Sequence, residues 1–325
     1  MINDTSMNVA GASSAPGWER ALIEKLALEA LKEQRLRRRW GIFFKLSFLV
    51  VLLAGVYLFT DLGGSEMENL GRHTALVDIN GTIESEGSGS AQAVIPALTR
   101  AFSDANSIGV ILRINSPGGS PVQAGMISDE IERLGKAYPQ KKLYVVVDEM
   151  CASGGYYIAA AADKIFVNKA SVVGSIGVLM DGFGFTALME KAGIERRLMT
   201  AGENKGFMDP FSPHSEKQKA YSQAMLNDIH QQFIDVVRKG RGQRLKETPE
   251  TFSGLFWIGS KAVEMGLADG FGSIDSVARD VLKAEVIVDY TQKEGLPERV
   301  LKKFGASIGN GAISSIWKGS SPSLR

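Results

Sequence analysis

Two short turns in this chain combine serine with paired glycines. Ser153 lies in M-C-A-S-G-G (150–155), directly after an apolar β-branched run and directly before an apolar helical one. A serine at such a strand-to-helix turn has its hydroxyl held at a sheet edge, and the Gly154 N–H at a helix N-terminus can help bind an oxyanion. That geometry suits a nucleophile. The same residue in the same place also serves as an ordinary helix N-cap, and this turn alone does not separate the two. The second turn, S-P-G-G-S (116–120), closes another β-branched run. It reads either as a plain turn or, through Gly118 and Gly119, as a loop whose amides approach a carbonyl oxygen closely. The pair, at the ends of neighbouring strands, is much more specific than either turn.

A serine nucleophile needs a base, and the three histidines are poorly placed. His73 follows soon after a long apolar segment, while His214 and His230 lie in or beside a helix patterned for solvent. Lysine can replace histidine when its ammonium is desolvated. Moving a lysine from about 10.4 to near 7 takes about 5 kcal/mol, which the low-dielectric end of a sheet can supply. The single cysteine, Cys151, has apolar neighbours and no adjacent base, so it reads as a small core residue. One cysteine and three histidines do not suit a zinc site, and neither a metal nor a cofactor is expected. Gly182-Phe183-Gly184 falls short of a phosphate loop, and R-K-G-R-G-Q-R (238–244) reads as a solvated helix end.

Positioning the two turns requires a sheet. Residues 74–83, 108–115, 142–149 and 164–168 read as strands, with helical patterns at 91–105, 122–137 and 156–162 between them. Strands alternating with helices predict an α/β fold of repeated β-α-β units around a largely parallel sheet, with sites at the carboxyl ends of its strands. Further on, 196–200 reads as a strand, 203–214 as a loop, 215–239 as a long amphipathic helix, 256–270 as a short helix and turn, and 274–284 as a last helix.

The chain has 325 residues, 44% apolar and 22% charged, which disfavours disorder, collagen-like repeats and a polytopic membrane protein. A net charge of +1 gives no reason to expect a nucleic-acid partner. Residues 40–60 are nearly unbroken in apolar character, enough at about 1.5 Å per residue to span a bilayer's roughly 30 Å core. Arg35, Arg37, Arg38, Arg39 and Lys45 crowd its N-terminal side, whereas Asp61, Glu66 and Glu68 precede the next base, Arg72. The pattern predicts one uncleaved transmembrane helix, N-terminus cytoplasmic and the bulk of the chain on the extracytoplasmic side. The expected organisation is a cytoplasmic amphipathic leader (1–39), an anchor (40–60), a linker (61–71), a catalytic domain (72–290) and a mobile tail (291–325), in which Leu301, Phe304, Ile313, Ile316 and Trp317 could dock.

Taken in order, R-I-N-S-P-G-G-S (113–120), D-E-M-C-A-S-G-G-Y-Y-I-A-A-A-A-D-K-I (148–165), G-S-I-G-V (174–178), G-E-N-K (202–205) and G-S-K-A-V-E-M-G-L-A-D-G (259–270) resemble the bacterial signal peptide peptidase A family, short form. The resemblance covers about residues 72–290. It implies a serine protease of the Clp-protease/crotonase fold with a Ser-Lys dyad: Ser153 as nucleophile and Lys205, about fifty residues later, as general base. It further implies that Gly118, Gly119 and Gly154 supply the oxyanion hole and that Ser175 orients the lysine amine. The implied substrates are hydrophobic peptides such as remnant signal peptides. The implied assembly is a ring-shaped homo-oligomer at the membrane lipid, in which one copy's lysine can complete its neighbour's site. Two other readings remain: a crotonase-like acyl-CoA enzyme, disfavoured by export, and a catalytically silent membrane scaffold.

Overall fold

The computed structural model describes residues 18–61 and 71–292, in two units that divide after Leu70. The first is one helix, α1 (Trp18–Asp61), so the leader's helical pattern and the apolar run are continuous. Within this unit Ile42, Phe43, Phe44, Phe48, Val50 and Val51 are all exposed. Among the described residues no helix is long and apolar enough to cross a membrane. The expected span also includes residues 56–60, whose side chains lie outside the described ones, as do the linker residues 62–70 and the tail from 293.

The second unit runs β1 (His73–Asn80), α2 (Ala91–Ser103), β2 (Ser107–Ser116), α3 (Pro121–Ala137), β3 (Lys142–Ala152), α4 (Gly154–Ala159), β4 (Lys164–Val167), β5 (Val172–Gly174), α5 (Thr186–Lys191), α6 (Glu216–Arg241), β6 (Phe256–Ile258), α7 (Gly259–Glu264), β7 (Gly270–Phe271), α8 (Ile274–Ser276) and β8 (Ile287–Asp289). These strands form one sheet in the order β6-β5-β3-β2-β1-β8, with β4 beside β3 and β7 beside β4. Only β5 and β6 pair antiparallel. The mixed α/β fold with a mainly parallel sheet is therefore as the alternating pattern predicts.

The sheet is covered on both faces. Along β2, Ile111 points into a cluster with Val146, Val277, Ala278 and Leu282. By the two-residue period of a strand, Val110, Leu112 and Ile114 face the other way, and the buried sides of α2, α3 and α4 form the remaining core. Helix starts are fixed locally: Ser90 and Ser120 accept hydrogen bonds from the amides of Ala93 and Gln123, and Ser215 and Gln218 form a capping box at α6. Strand β3 matters most for the site, because it serves two neighbours. Its first half pairs β4 through Tyr144–Val146, and its last residues, Met150–Ala152, pair β5.

Three expectations need correction. Residues 194–200 are exposed and irregular, not a strand, because no ladder partner among the described residues lies alongside to take their backbone hydrogen bonds. The last helix keeps α geometry only through α8 and then widens to π geometry over Val277–Leu282, ending at Lys283 with φ 57°. The 238–244 segment is a helix end exposed at Arg238, Lys239 and residues 242–244, as expected, but not at Arg241, which is only 1% exposed. Gly240 explains this: a Cβ there would lie 1.8 Å from the Ala160 carbonyl oxygen, so only glycine lets α6 come close enough to carry Arg241 inside. Once inside, Arg241 Nε donates to the Gly266 carbonyl at 2.9 Å and Nη1 pairs with Asp269 at 2.9 Å.

Candidate active site

Ser153 is the single residue between β3 and α4, and its backbone is strained. Its φ is 50° and ψ −122°, a region that residues with a Cβ rarely occupy. The surroundings hold it there: its N–H donates to the Gly174 carbonyl at 2.9 Å, and its carbonyl accepts from the Tyr157 amide at 2.9 Å. Its side chain does not cap α4 and makes no hydrogen bond among the described residues. The N-cap alternative thus fails on geometry, leaving a half-buried hydroxyl on a strained turn at the carboxyl end of a strand.

The Gly118-Gly119 turn lies against it. At Gly118, φ is +102° and a Cβ would sit 2.6 Å from the Ser153 Cβ, so glycine is required for the contact. Its amide donates to Ser116 Oγ at 3.1 Å, and its carbonyl accepts from Ile83. Ile83 in turn accepts from the Ser120 amide at 2.8 Å, which clamps the turn from outside. Gly119 N therefore faces the other way, 3.3 Å from where a Cβ on Gly154 would be. The Gly119 and Gly154 amides have no hydrogen-bond acceptor among the described residues. Two adjacent, unpaired backbone donors beside a serine hydroxyl are what a developing oxyanion requires. The Gly118 amide is already engaged, so its contribution is conformational.

Ser175 follows Gly174, the register partner of Ala152, just as Ser153 follows Ala152. The two serines thus leave adjacent strands side by side, both with positive φ, 50° and 53°. Ser175 is fixed by its amide donating to Leu255 O at 2.8 Å. That bond comes from the segment leading into β6, an antiparallel neighbour that local sequence pattern does not reveal.

Lys205 is elsewhere in character. It occupies an exposed turn, its amide donating to Gly202 O at 3.1 Å, and its ammonium has no partner among the described residues. The expected desolvation by the sheet end is therefore absent within one chain. No histidine replaces it. His73 is buried on β1 against the Tyr290 hydroxyl at 3.0 Å, His230 donates to Ile176 O at 3.1 Å, and His214 lines a small cavity with Met180 and Met208. Cys151 is buried, and burial pushes its thiol well above the usual range. A cavity of about 550 Å³ opens between Arg113, Asp148, Lys169 and Phe271, and none of the candidate catalytic residues lines it.

The mainly parallel α/β domain thus carries a strained serine beside two amides with no acceptor among the described residues. Residues 136–288, just under half of the chain, match the profile of Peptidase family S49. The chain is 33% identical over 183 residues to a chain from Enterococcus faecium named for signal peptide peptidase SppA, covering 56% of this chain and 53% of that one. It is 30% identical over 266 residues to protease 4 of Haemophilus influenzae, covering 80% of this chain and 42% of the relative. A Brucella abortus chain named Na(+)/H(+) antiporter NhaA is 42% identical over 214 residues, 66% of this chain but 29% of that one. The chain thus spans about a third to a half of the length of these relatives.

Proposed function

We propose that this chain is a membrane-anchored serine endopeptidase of the Clp-protease/crotonase type, working through a Ser153–Lys205 dyad. The observation that carries the reading is the strained Ser153 hydroxyl, free of any capping role, beside the unpaired amides of Gly119 and Gly154. The neutral Lys205 amine takes the Ser153 proton as Oγ attacks the scissile carbonyl, and the two amides hold the resulting oxyanion. The C–N bond then breaks, the leaving amine takes the proton from Lys205, and a water activated by the same amine hydrolyses the acyl-enzyme. Ser175 hydrogen-bonds the lysine amine and fixes its lone pair toward Ser153.

A neutral amine cannot be maintained on an exposed turn, so the working site needs a second copy of the chain packed over Lys205. Exposed Leu179, Phe183, Leu188, Ile194 and Met199 supply apolar surface for such packing, in keeping with a ring. Anchoring is supported by the apolar side chains of α1, exposed within their unit, and by the basic residues before them. An anchor would place the site beside hydrophobic peptides released at a membrane, including remnant signal peptides. The test is hydrolysis of an apolar peptide by the full chain. Ser153→Ala and Lys205→Ala should each abolish turnover, and undiminished turnover in either rejects the dyad.

A further inference from the structure

Lys205 stands on an arm that no sheet supports. Residues 194–200 run out, 201–208 turn, and 209–212 return, and neither side belongs to a ladder. The arm is closed at its root by one ion pair, Arg196 Nη1 to Asp209 Oδ1 at 2.8 Å, with side-chain exposures of only 31% and 11%. Asp209 also accepts from Ser212 Oγ at 2.6 Å and from the Phe211 amide at 3.3 Å. The Arg196 guanidinium lies over the Phe211 ring, 5.4 Å from its centroid, and Phe211 stacks on Phe185 at 5.4 Å. Phe185 N donates to Pro210 O at 2.7 Å, which fastens the root to the start of α5. Nearer the tip, Leu198 reaches over Gly206, where a Cβ would meet its Cδ2 at 3.1 Å.

We propose that Arg196 and Asp209 are positioning residues for the proton transfer from Ser153 to Lys205, holding the arm so that its tip presents the amine in one place. The inference rests on the reading of Lys205 as the base. The other ion pairs nearby lack this construction. Arg197–Glu195 is 82% and 72% exposed, and Lys217–Glu203 is 73% and 76% exposed, so both are solvated and contribute little. The root pair differs because it is partly buried, is stacked on an aromatic pair and spans the two sides of the arm. The Asp209 carboxyl is held below its usual range, first by the Ser212 hydroxyl, with the Phe211 amide and Arg196 assisting.

The experiment uses the full chain with two readouts: hydrolysis of an apolar peptide, and the rate at which a phosphonofluoridate labels Ser153 as a function of pH. Arg196→Gln and Asp209→Asn should lower kcat roughly 10- to 100-fold, as a displaced catalytic group does, with KM nearly unchanged. The pH of half-maximal labelling should rise, because a misplaced amine is less well desolvated. Loss of folded protein would lower amplitude without moving that midpoint. Arg196→Lys should recover most of the rate, and the charge exchange Arg196→Asp with Asp209→Arg part of it. Arg197→Gln and Lys217→Gln should behave as the parent. If Lys205→Ala is inactive while Arg196→Gln and Asp209→Asn lose no more than Arg197→Gln, or lose rate with an unmoved midpoint, the positioning role is overturned. A fully active Lys205→Ala would instead remove the reading beneath it. Should either single variant fail to fold, Arg196→Lys and the charge exchange decide.

Discussion

At Ser153 the protein maintains a backbone conformation that costs roughly 1–3 kcal/mol for a residue with a Cβ. The strain persists because Gly118 clears the space beside it and Gly174 O receives its N–H. Strain retained at a residue whose side chain bonds to nothing among the described residues points to use rather than to packing. It gives a prediction that separates the two costs. Ser153→Gly should relieve the positive φ and, after the added chain entropy of glycine, raise stability by about 1 kcal/mol, or a melting shift of about 2–4 °C. Ser153→Ala keeps the strain and should melt near the parent temperature. Both variants should be inactive, and calorimetry beside a peptide assay reads the difference. Gly118→Ala goes the other way: its Cβ would press on Ser153 at 2.6 Å. Activity should fall at least about 100-fold and stability by roughly 1–3 kcal/mol, measured by the same pair of assays.

At the scale of elements, the site depends on how α4 is seated, and much of that seating comes from α6. Tyr156 on α4 donates its hydroxyl to Leu267 O at 2.8 Å. Nearby, Asp269 accepts from the Ile165 amide at 2.7 Å, from Arg241 at 2.9 Å and from Arg244 at 3.0 Å. Burial pushes the Asp269 carboxyl up, but the Arg241 hydrogen bond and the Ile165 amide outweigh it, and the group titrates below its ordinary value. The folded protein therefore binds this proton less readily than the unfolded chain, whose aspartate titrates near 3.9. The stability Asp269 contributes is complete above that pH and is lost as pH falls through the lower folded value. Asp269→Asn should accordingly be less stable at neutral pH and show a shallower loss of melting temperature below about pH 4. Arg241→Ala removes the buried partner and leaves the Asp269 carboxylate with Arg244 and the Ile165 amide, and should cost about 1–3 kcal/mol by denaturant unfolding. The two glycine turns and the alternation of strand and helix were readable because type and spacing are local. Arg241 was misread because a charge run looks solvated until Gly240 allows α6 against Ala160, and the 196–200 run looked like a strand because its missing partner is not in the pattern. The forking of β3 and the antiparallel β6 arise from pairings distant in sequence, so neither leaves a local mark.

At the scale of the molecule, the proposed nucleophile and the proposed base differ in how far one chain completes them. Ser153 and its two amides are assembled within one chain, whereas Lys205 is exposed next to Gly206, over which Leu198, itself 46% exposed, reaches. On the proposed reading, that apolar surface is what a second copy of the chain would cover. The arrangement makes a definite arithmetic prediction for mixed assemblies. Ser153→Ala chains retain Lys205, and Lys205→Ala chains retain Ser153. If Lys205 serves a neighbour's serine in a head-to-tail ring, co-assembling the two inactive variants in equal amounts leaves about a quarter of the junctions with both groups intact. Peptide hydrolysis should then return to about a quarter of the parent rate per chain. If Lys205 folds back onto its own Ser153, every site in the mixture lacks one partner and the rate stays at zero. Mixing the variants after separate assembly supplies the control: activity should appear only as subunits exchange, with a time course that follows exchange and not substrate addition.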